Sequence, residues 1–378
     1  MIQETQKTVV NCWNEWDPLK HVILGRADGV MVQAPEPAIE RDWPDDGFPL
    51  GTYGPLPQEM ADKANEQLDN FGKILESRGI RVDRPTPLDF SQTVQTPDWK
   101  QESLFGCMPP RDVLLVMGNE ILEATMSYRS RWYEYLCYRP LLEQYFREDP
   151  NMRWEAAPKP RLTERTYKKD FWKGWRTLSE EEQLERARNL AWVLTEVEPL
   201  FDAADMMRFG KDIIFQPSMV SNMAGADWIR RHFPNHRIHV MNFKEKAQVH
   251  IDSTWIPLRP GLILHNRERD AVPEQLKMYE INDWEIVECV QPQHKTKRRL
   301  SYCSIWLSIN LLVLDPKTVC VEASETAQME QLDKLGFEVI PVPFYDVAPF
   351  GGGLHCSTTD IYREGACEEY FPKQVEGF

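Results

Sequence analysis

Residues 111–118 read RDVLLVMG, a polar turn that leads into a short run of Val, Leu and Met. A run this short and this apolar, bounded by charged residues and by glycine, predicts a buried β-strand. Residues 149–158, DPNMRWEAAP, read as a passage from the end of a helix into another strand. Together the two stretches predict a strand–helix–strand module.

The same module recurs along the chain. Its first strand is predicted at residues 20–25, 111–118, 211–215, 260–266 and 316–322, and its helix-to-strand passage at residues 76–85, 149–158, 233–242, 281–290 and 333–342. Five modules without a linker predict a single α/β domain over residues 1–378, with approximate internal symmetry. An open doubly wound sheet is the alternative, although neither a G-x-G-x-x-G turn nor a P-loop follows these strands.

Charge and hydropathy narrow the class of protein. The chain has 378 residues, a formal net charge of −15 and 42% hydrophobic residues, a composition typical of folded globular proteins. The negative charge disfavours nucleic acid and anionic membranes as partners. With no apolar stretch of the roughly 18–20 residues that cross a bilayer, and no basic-then-apolar leader, we expect a soluble, cytoplasmic protein.

The eight cysteines are spread over the whole length without a C-x-x-C pair. Reduced thiols are therefore expected, and a zinc site built from cysteine pairs is disfavoured. His355-Cys356 and His250-x-Asp252 also lack the two-pair spacing of a zinc site. We therefore predict no metal.

Residues 161–190 interrupt the modular pattern. Basic and aromatic residues are interleaved there, namely Lys168, Lys169, Lys173 and Arg176 with Tyr167, Phe171, Trp172 and Trp175. Such residues together can bind nucleic acid, but the net charge favours an inserted surface loop or lid. Ser179 with Glu182 fits a capping box at the start of a helix. The run HKTKRR at 294–299 favours a solvated loop over a localisation signal.

GGGLHC at residues 351–356 is the first candidate for chemistry. Three glycines in a row mark a backbone that bends unusually or approaches another group closely. A thiol directly after that turn is a candidate nucleophile. The alternative is that Cys356 is a small buried hydrophobic residue, which is the usual environment of a free cysteine.

Two further motifs carry ionisable side chains. In VHIDST, strand alternation would place His250 and Asp252 on one face, where a histidine can exchange protons and a carboxylate can bind a cation. In FDAAD, the small residues between Asp202 and Asp205 would let a ligand approach both carboxylates. Ordinary surface residues and an acidic turn are the respective alternatives.

Segments along nearly the whole chain resemble the glycine amidinotransferase family, which transfers the amidino group of arginine to glycine, to inosamine phosphates or to other amines. They are NCWNEWDPLKHVILGRADG at 11–29, MPPRDVLLVMGNEILEA at 108–124, AAPKP at 156–160, EPLFDAADMMRFGKDIIFQ at 198–216, VHIDSTWIPLRPG at 249–261, WLSINLLVLD at 306–315 and GGGLHC at 351–356. The resemblance implies a five-bladed, pseudosymmetric α/β propeller with its active site on the central axis. It also implies a homodimer that uses L-arginine and an amine, without cofactor or metal.

The resemblance assigns catalytic roles to three residues. Cys356 would be the nucleophile, His250 the general acid and base, and Asp202 the carboxylate that orients His250. Attack by the thiolate gives a tetrahedral adduct, and His250 then protonates the departing ornithine amine and later deprotonates the incoming amine. A nearby imidazolium is expected to lower the pKa of the thiol.

The resemblance also assigns four residues to arginine binding. Asp112 and Asp252 would hold the guanidinium group, because carboxylates on its edges bind it and fix its central carbon in line with the thiolate. Arg269 would hold the α-carboxylate of the substrate. Ser304 would assist near that site.

Departures from the glycine-using members concern the acceptor. Ala247 and Val249 stand where those enzymes carry asparagine and methionine, and residues 362–365, YREG, replace a basic run. We therefore expect an acceptor longer than glycine, such as lysine, a diamine or a natural-product intermediate. The alternatives are an arginine deiminase or dihydrolase, in which water resolves the adduct, and an arginine-binding module without catalysis.

Overall fold

The computed structural model describes residues 8–39, 52–246, 248–296, 300–301 and 303–375. The strands are β1 (Leu19–Leu24), β2 (Met31–Val32), β3 (Gly54–Pro55), β4 (Arg81–Asp83), β5 (Val94–Gln95), β6 (Lys100–Gln101), β7 (Leu114–Met117), β8 (Glu120–Glu123), β9 (Arg153–Ala156), β10 (Met206–Phe209), β11 (Asp212–Phe215), β12 (Arg237–Val240), β13 (Trp255–Arg259), β14 (Leu262–His265), β15 (Glu285–Glu288), β16 (Leu312–Asp315), β17 (Thr318–Glu322), β18 (Glu338–Val342) and β19 (Thr358–Arg363). The helices are α1 (Gln58–Ser77), α2 (Pro110–Val113), α3 (Arg139–Glu148), α4 (Phe171–Trp175), α5 (Glu180–Arg188), α6 (Met223–His232), α7 (Pro273–Ile281) and α8 (Thr326–Lys334).

Five of the described sheets have three strands, in the orders β19-β1-β4, β7-β8-β9, β10-β11-β12, β13-β14-β15 and β16-β17-β18. In each sheet the first two strands are antiparallel and the last two are parallel. Parallel neighbours need a crossover connection. Helices α1, α3, α6, α7 and α8 supply it. The predicted α/β class is confirmed.

Each predicted strand–helix–strand module accounts for only two of the three strands in its sheet. The sequence signals correspond to β1, β11, β14 and β17, which are the middle strands, and to the parallel strands that follow the crossover helices. In the second module RDVLLVMG instead contains β7, so the middle strand β8 went unpredicted. Tight hairpins join several of the antiparallel pairs, with Gly118 at φ 59° and Gly210 at φ 63°, a backbone conformation that suits glycine.

The two ends of the described chain meet in one sheet. Strand β19 near the C-terminus pairs antiparallel with β1, with Val22 opposite Asp360. Helix α1 ends near Gly79, as its apolar spacing predicts, and α8 ends near Gly336. The pairing of β1 with β19 places residues 351–356 beside the segments that precede the other sheets.

Short helical turns precede the first strands of the other four three-stranded sheets. They are α2 before β7, residues 203–205 before β10, residues 251–253 before β13 and residues 305–309 before β16. Each turn contacts the next one in this series, and α2 also contacts β19. These contacts bring residues far apart in the chain to a common centre.

The insertion folds into α4 and α5 and contributes side chains to an apolar cluster. This insertion cluster consists of buried residues of the insertion and of segments that pack on it, namely Ala38, Trp99, Leu162, Tyr167, Phe171, Trp175, Ala187, Trp192, Val193, Leu194, Leu200 and Met219. The predicted capping box is confirmed, since Ser179 accepts a hydrogen bond from the Glu182 amide and the Glu182 carboxylate accepts one from the Ser179 amide. Residues 297–299 of the basic run HKTKRR lie outside the described residues.

All eight cysteines are free. Among the helices that the structure describes, none combines the length and hydropathy needed to cross a bilayer.

Candidate active site

Cys356 is held by a glycine turn that admits no side chain. Gly352 has φ 152°, and a Cβ atom there would lie 2.3 Å from Cβ of Cys356. A Cβ atom at Gly353 would lie 2.7 Å from Oδ1 of Asn310. That same oxygen accepts hydrogen bonds from the amides of His355 and Cys356 at 3.1 Å. The glycines therefore let the turn close tightly around the thiol.

The thiol of Cys356 is buried, with 4% of the residue exposed. Its Sγ lies 3.2 Å from Oδ2 of Asp252 and accepts a hydrogen bond from Nδ2 of Asn310 at 3.2 Å. Burial, followed by the carboxylates of Asp252 and Asp112, raises the pKa of Cys356 well above its usual value. The expectation that a nearby imidazolium would lower this pKa is therefore wrong, because burial and the two carboxylates raise it.

His250 lies at a bend of the backbone and not on the predicted strand. It has φ 56° and is followed by the helical turn of residues 251–253. A non-glycine residue in this region is strained, and such strain is common at functional sites. The bend directs Nε2 to within 3.1 Å of Oδ2 of Asp202, and Nδ1 to within 3.5 Å of Oδ1 of Asp112.

The carboxylates around His250 decide its charge. Burial lowers the pKa of His250, but Asp112, Asp202 and Asp205 more than offset it and raise this pKa to about 10. The side chain is thus an imidazolium near neutral pH. A cation in this position can give a proton to a neighbouring amine.

Asp112 and Asp202 keep part of their hydrogen-bonding capacity unused. Both residues are 1% exposed, and Oδ1 of each carries no hydrogen bond within the part of the chain that the structure describes. Burial raises the pKa of Asp112, whereas His250 and Arg131 lower it. A buried carboxylate oxygen without a donor is suited to a cationic ligand.

Arg131 is a buried cation that the sequence reasoning missed. Its Nη1 donates to Oδ2 of Asp112 at 2.8 Å and lies 3.7 Å from Oδ2 of Asp202. Its Nη2 donates to Glu134 at 2.8 Å. Nothing in the run SYRSRWYEY distinguishes this arginine from a surface one. It offsets the charge of two carboxylates that face His250.

Asn310 and His355 are the other missed residues. Asn310 anchors the thiol turn, and Nδ1 of His355 donates to Oδ2 of Asp252 at 2.8 Å. Burial raises the pKa of Asp252, but His355, His250 and the Cys356 thiol lower it to about 2. His355 directly precedes Cys356, so adjacency was an available signal, whereas Asn310 lies within residues 306–315 without such a neighbour.

The structure brings Arg269 and Ser304 together. Nη2 of Arg269 donates to Oγ of Ser304 at 3.3 Å, and Nη1 donates to Ser253 and Thr254 at 2.9 Å. The guanidinium also forms an ion pair with Glu245, with Nε 2.7 Å from Oε2. Arg269 is thus fixed beside the turn that contains Asp252.

Of the two positions that are expected to select the amine acceptor, the structure describes Val249. Ala247 lies outside the described residues. Val249 is half-buried and packs against the insertion cluster, as does Tyr128. The position that precedes His250 therefore borders an apolar cluster that includes side chains of the insertion.

Ligand atoms of Asp112, Asp202 and His250 all lie within 4.8 Å of one another, a spacing that could hold a metal ion. However, Arg131 already places a guanidinium group against two of these three side chains. A divalent cation would have to displace that charge. The arrangement suits an organic cation between carboxylates better than a metal.

Similar proteins are amidinotransferases. The mitochondrial glycine amidinotransferase of Danio rerio is 39% identical over 95% of this chain and 84% of its own length. The L-arginine:L-lysine amidinotransferase of Pseudomonas savastanoi pv. phaseolicola is 37% identical over 97% of both chains. The solved structure of a saxitoxin-pathway amidinotransferase from Microseira wollei superposes with a TM-score of 0.82 at 38% identity, over 96% of this chain and 99% of the other. No family model matches the chain.

These relatives are named amidinotransferases and match nearly the whole chain, so the chain is a transferase. The chain belongs to the amidinotransferase family. Its fold is the propeller-like α/β fold of that family, and the resemblance identified from the sequence is confirmed.

Proposed function

We propose that this chain moves the amidino group of L-arginine to a primary amine longer than glycine, through an amidino adduct on Cys356. The observation that carries the proposal is the position of the Cys356 thiol, 3.2 Å from the carboxylate of Asp252 in a buried site. An imidazolium, His250, stands opposite two further carboxylates. This set can bind a guanidinium cation, attack it and protonate the leaving amine.

Arginine would bind through carboxylate oxygens that can still accept hydrogen bonds. Asp112 and Asp252 would hold the guanidinium edges, and Oδ1 of Asp112 carries no hydrogen bond among the described residues. The α-carboxylate would reach Arg269 and Ser304. Most donors of Arg269 are engaged, so the incoming carboxylate would compete with Glu245 for this guanidinium group.

The first half-reaction would begin when the substrate cation enters. Its positive charge between the carboxylates favours loss of the Cys356 proton to solvent, because the raised thiol pKa is due in part to those carboxylates. The thiolate attacks the guanidinium carbon, and a C–S bond forms. His250 gives its proton to the side-chain nitrogen of the ornithine portion, the C–N bond breaks, and ornithine leaves as the neutral amine.

The second half-reaction would reverse these steps with a new amine. Neutral His250 takes a proton from the acceptor, whose nitrogen attacks the amidino carbon. The C–S bond breaks, the guanidino product leaves as a cation, and Cys356 regains a proton from solvent. Asp202 would orient His250 and keep it basic, which its 3.1 Å contact supports.

The acceptor proposal rests on Val249. A valine takes less space than the methionine of the glycine-using members, and it packs on the insertion cluster. A site shaped for a longer amine would hold glycine poorly, so proximity would be lost. One relative is named for lysine, which supports an acceptor of this length.

The five three-stranded sheets are proposed to be the blades of one propeller domain that spans residues 1–378. The contacts between successive helical turns, and the pairing of β1 with β19, support a closed ring around Cys356. The homodimer, the cytoplasmic location and a role in natural-product biosynthesis stay predictions.

Incubation with guanidino-labelled arginine and a panel of amines tests this function. We expect ornithine beyond one equivalent per enzyme only when an amine is present, with the label in the guanidino product. Protein mass should rise by one amidino group at Cys356 without acceptor. Citrulline or urea formed without any amine would contradict transfer and favour the hydrolase alternative, while an inert protein that still binds arginine would favour a binding module.

A further inference from the structure

Behind Asp252 lies a buried histidine to which nothing above assigns a part in the reaction. His355 has 6% of its surface exposed. Its Nδ1 lies 2.8 Å from Oδ2 of Asp252, and this oxygen also contacts the Cys356 thiol. Because an ionised carboxylate can only accept, Nδ1 is the donor.

A second buried carboxylate faces the other side of the same ring. Nε2 of His355 lies 3.6 Å from Oε2 of Glu15. Glu15 is itself bound by Arg208, whose Nε and Nη2 each donate to one of its oxygens at 2.7 Å. Arg208 in turn pairs with Asp360 at 2.8 Å. The imidazole therefore connects the carboxylate at the thiol to a fixed ion network.

The backbone of His355 is fixed as well. Its amide donates to Asn310, and its carbonyl accepts from Nε of Arg111 at 3.3 Å. The ring thus has little freedom to turn away from Asp252. A histidine that only filled space would need neither the two carboxylates nor this anchoring.

We propose that His355 is a positioning residue, which holds Asp252 as an ionised carboxylate with one oxygen toward the thiol, so that the other oxygen can bind the guanidinium of the donor. The inference rests on the proposed function and adds a group that acts only through Asp252. Rotation of the Asp252 carboxylate would misplace the guanidinium carbon relative to Sγ, and small displacements of this kind are costly.

The charge of Asp252 depends on groups from three segments. His250 lies on its own turn, Asp112 faces it from α2, and His355 and Cys356 face it from the C-terminal loop. Burial raises the pKa of Asp252, and the hydrogen bond from His355 is the largest influence that lowers it. Without that bond the pKa of Asp252 rises. Arginine binding is then lost as pH falls through this higher pKa, because Asp252 becomes protonated.

Two substitutions separate the hydrogen bond from the volume. His355→Leu removes the donor at similar size, whereas His355→Asn keeps an N–H near the position of Nδ1. His239→Leu is the matched control, since His239 is also buried and lies 2.7 Å from a buried carboxylate, Asp212, outside the site. Thermal unfolding of each variant measures the structural loss separately.

The measurement is kcat/KM for arginine between pH 5 and 9, at saturating acceptor. We expect His355→Leu to lower it on the order of 30-fold, by the cost of one lost charge-assisted bond, and to move the acid limb to higher pH. His355→Asn should recover most of the loss with the original profile. His239→Leu should change stability but not the profile.

A His355→Leu profile parallel to wild type, or His355→Asn as poor as His355→Leu, would overturn the inference. Arginine binding by calorimetry in the Cys356→Ser background gives the same comparison without turnover, because the donor-binding carboxylates remain. If wild-type protein forms no amidino adduct, the proposed function fails. The pH dependence of arginine binding with and without His355 still decides the positioning role.

Discussion

The centre of the molecule and the insertion cluster are both buried, but different interactions connect their side chains. The centre contains ionised side chains such as Asp112, Asp252, His250 and Arg131 within a few ångströms of one another. The insertion cluster contains aromatic and aliphatic side chains, with rings such as Phe171 stacked on their neighbours. Apolar burial stabilises a fold directly, whereas buried charges are weak contributors to stability. We therefore expect changes at the centre to alter the donor half-reaction, and changes at the cluster to alter acceptor choice.

The largest effect should follow removal of the thiol. Cys356→Ser should lower ornithine release by roughly 10³-fold or more, because a hydroxyl has no comparable anion near neutral pH. The amidino adduct should be absent by mass. Cys320→Ser is the control, since this buried cysteine of β17, whose pKa burial raises to about 12, lies outside the site. Near-normal turnover in Cys356→Ser would contradict a covalent path.

The carboxylates that are proposed to bind guanidinium come next. Asp112→Asn and Asp252→Asn should each lower kcat/KM for arginine. The expected loss of transition-state stabilisation is about 2–5 kcal/mol, as for the loss of a buried charge pair. Asp212→Asn removes an equally buried carboxylate that pairs with Arg237, and should reduce stability only. Steady-state kinetics beside thermal unfolding separate the two outcomes. Unchanged arginine kinetics in both site variants would remove them from the guanidinium site.

Asp202→Asn should change the pH dependence. The carboxylates raise the pKa of His250 to about 10, so the imidazolium is present below that pH and is lost above it. Without Asp202 this pKa falls, and the alkaline limb of kcat should move to lower pH. Asp205→Asn should produce a smaller shift in the same direction, because Asp205 contributes less to this pKa. An unmoved limb in Asp202→Asn would mean that another group sets it.

Arg269→Ala should affect arginine and agmatine differently as amidino donors. Arginine carries an α-carboxylate and agmatine does not, so the substitution should weaken arginine use by about 1.5–3 kcal/mol, the usual value of a hydrogen bond to a charged group, and agmatine use far less. Arg259→Ala, an arginine held against Phe337 outside the site, is the control. Equal losses for both donors would give Arg269 another role.

The fold was more accessible from sequence than the site. In four of the five modules, apolar runs with polar boundaries identified the strands that form parallel pairs, because crossover helices and glycine residues bound those strands. The added antiparallel strands, such as β10 and β13, carry no alternation, since almost all of their residues are buried, and periodicity is then uninformative.

The site shows the same limit in another form. Motifs located Cys356, His250 and Asp202, but strand alternation around His250 was wrong, because a positive φ and a helical turn replace it. Arg131 and His355 contact carboxylates far away in the chain, and although His355 adjoins Cys356, no local pattern marks those contacts. The thiol pKa could not be inferred either, since it depends on which carboxylates surround it in three dimensions.

The smallest effect should be at the boundary between the two regions. Val249 adjoins His250 and packs on the insertion cluster, so Val249→Met adds volume where the acceptor is expected to enter. We expect the kcat/KM for lysine or a diamine to fall about 10-fold, in line with the modest selectivity of one or two methylene groups. The ornithine burst without acceptor should stay unchanged, and glycine should gain relative to the longer amines. Val193→Met, deeper in the cluster, controls for overpacking. If wild-type enzyme prefers glycine, or if both variants alter acceptor use alike, Val249 does not set specificity.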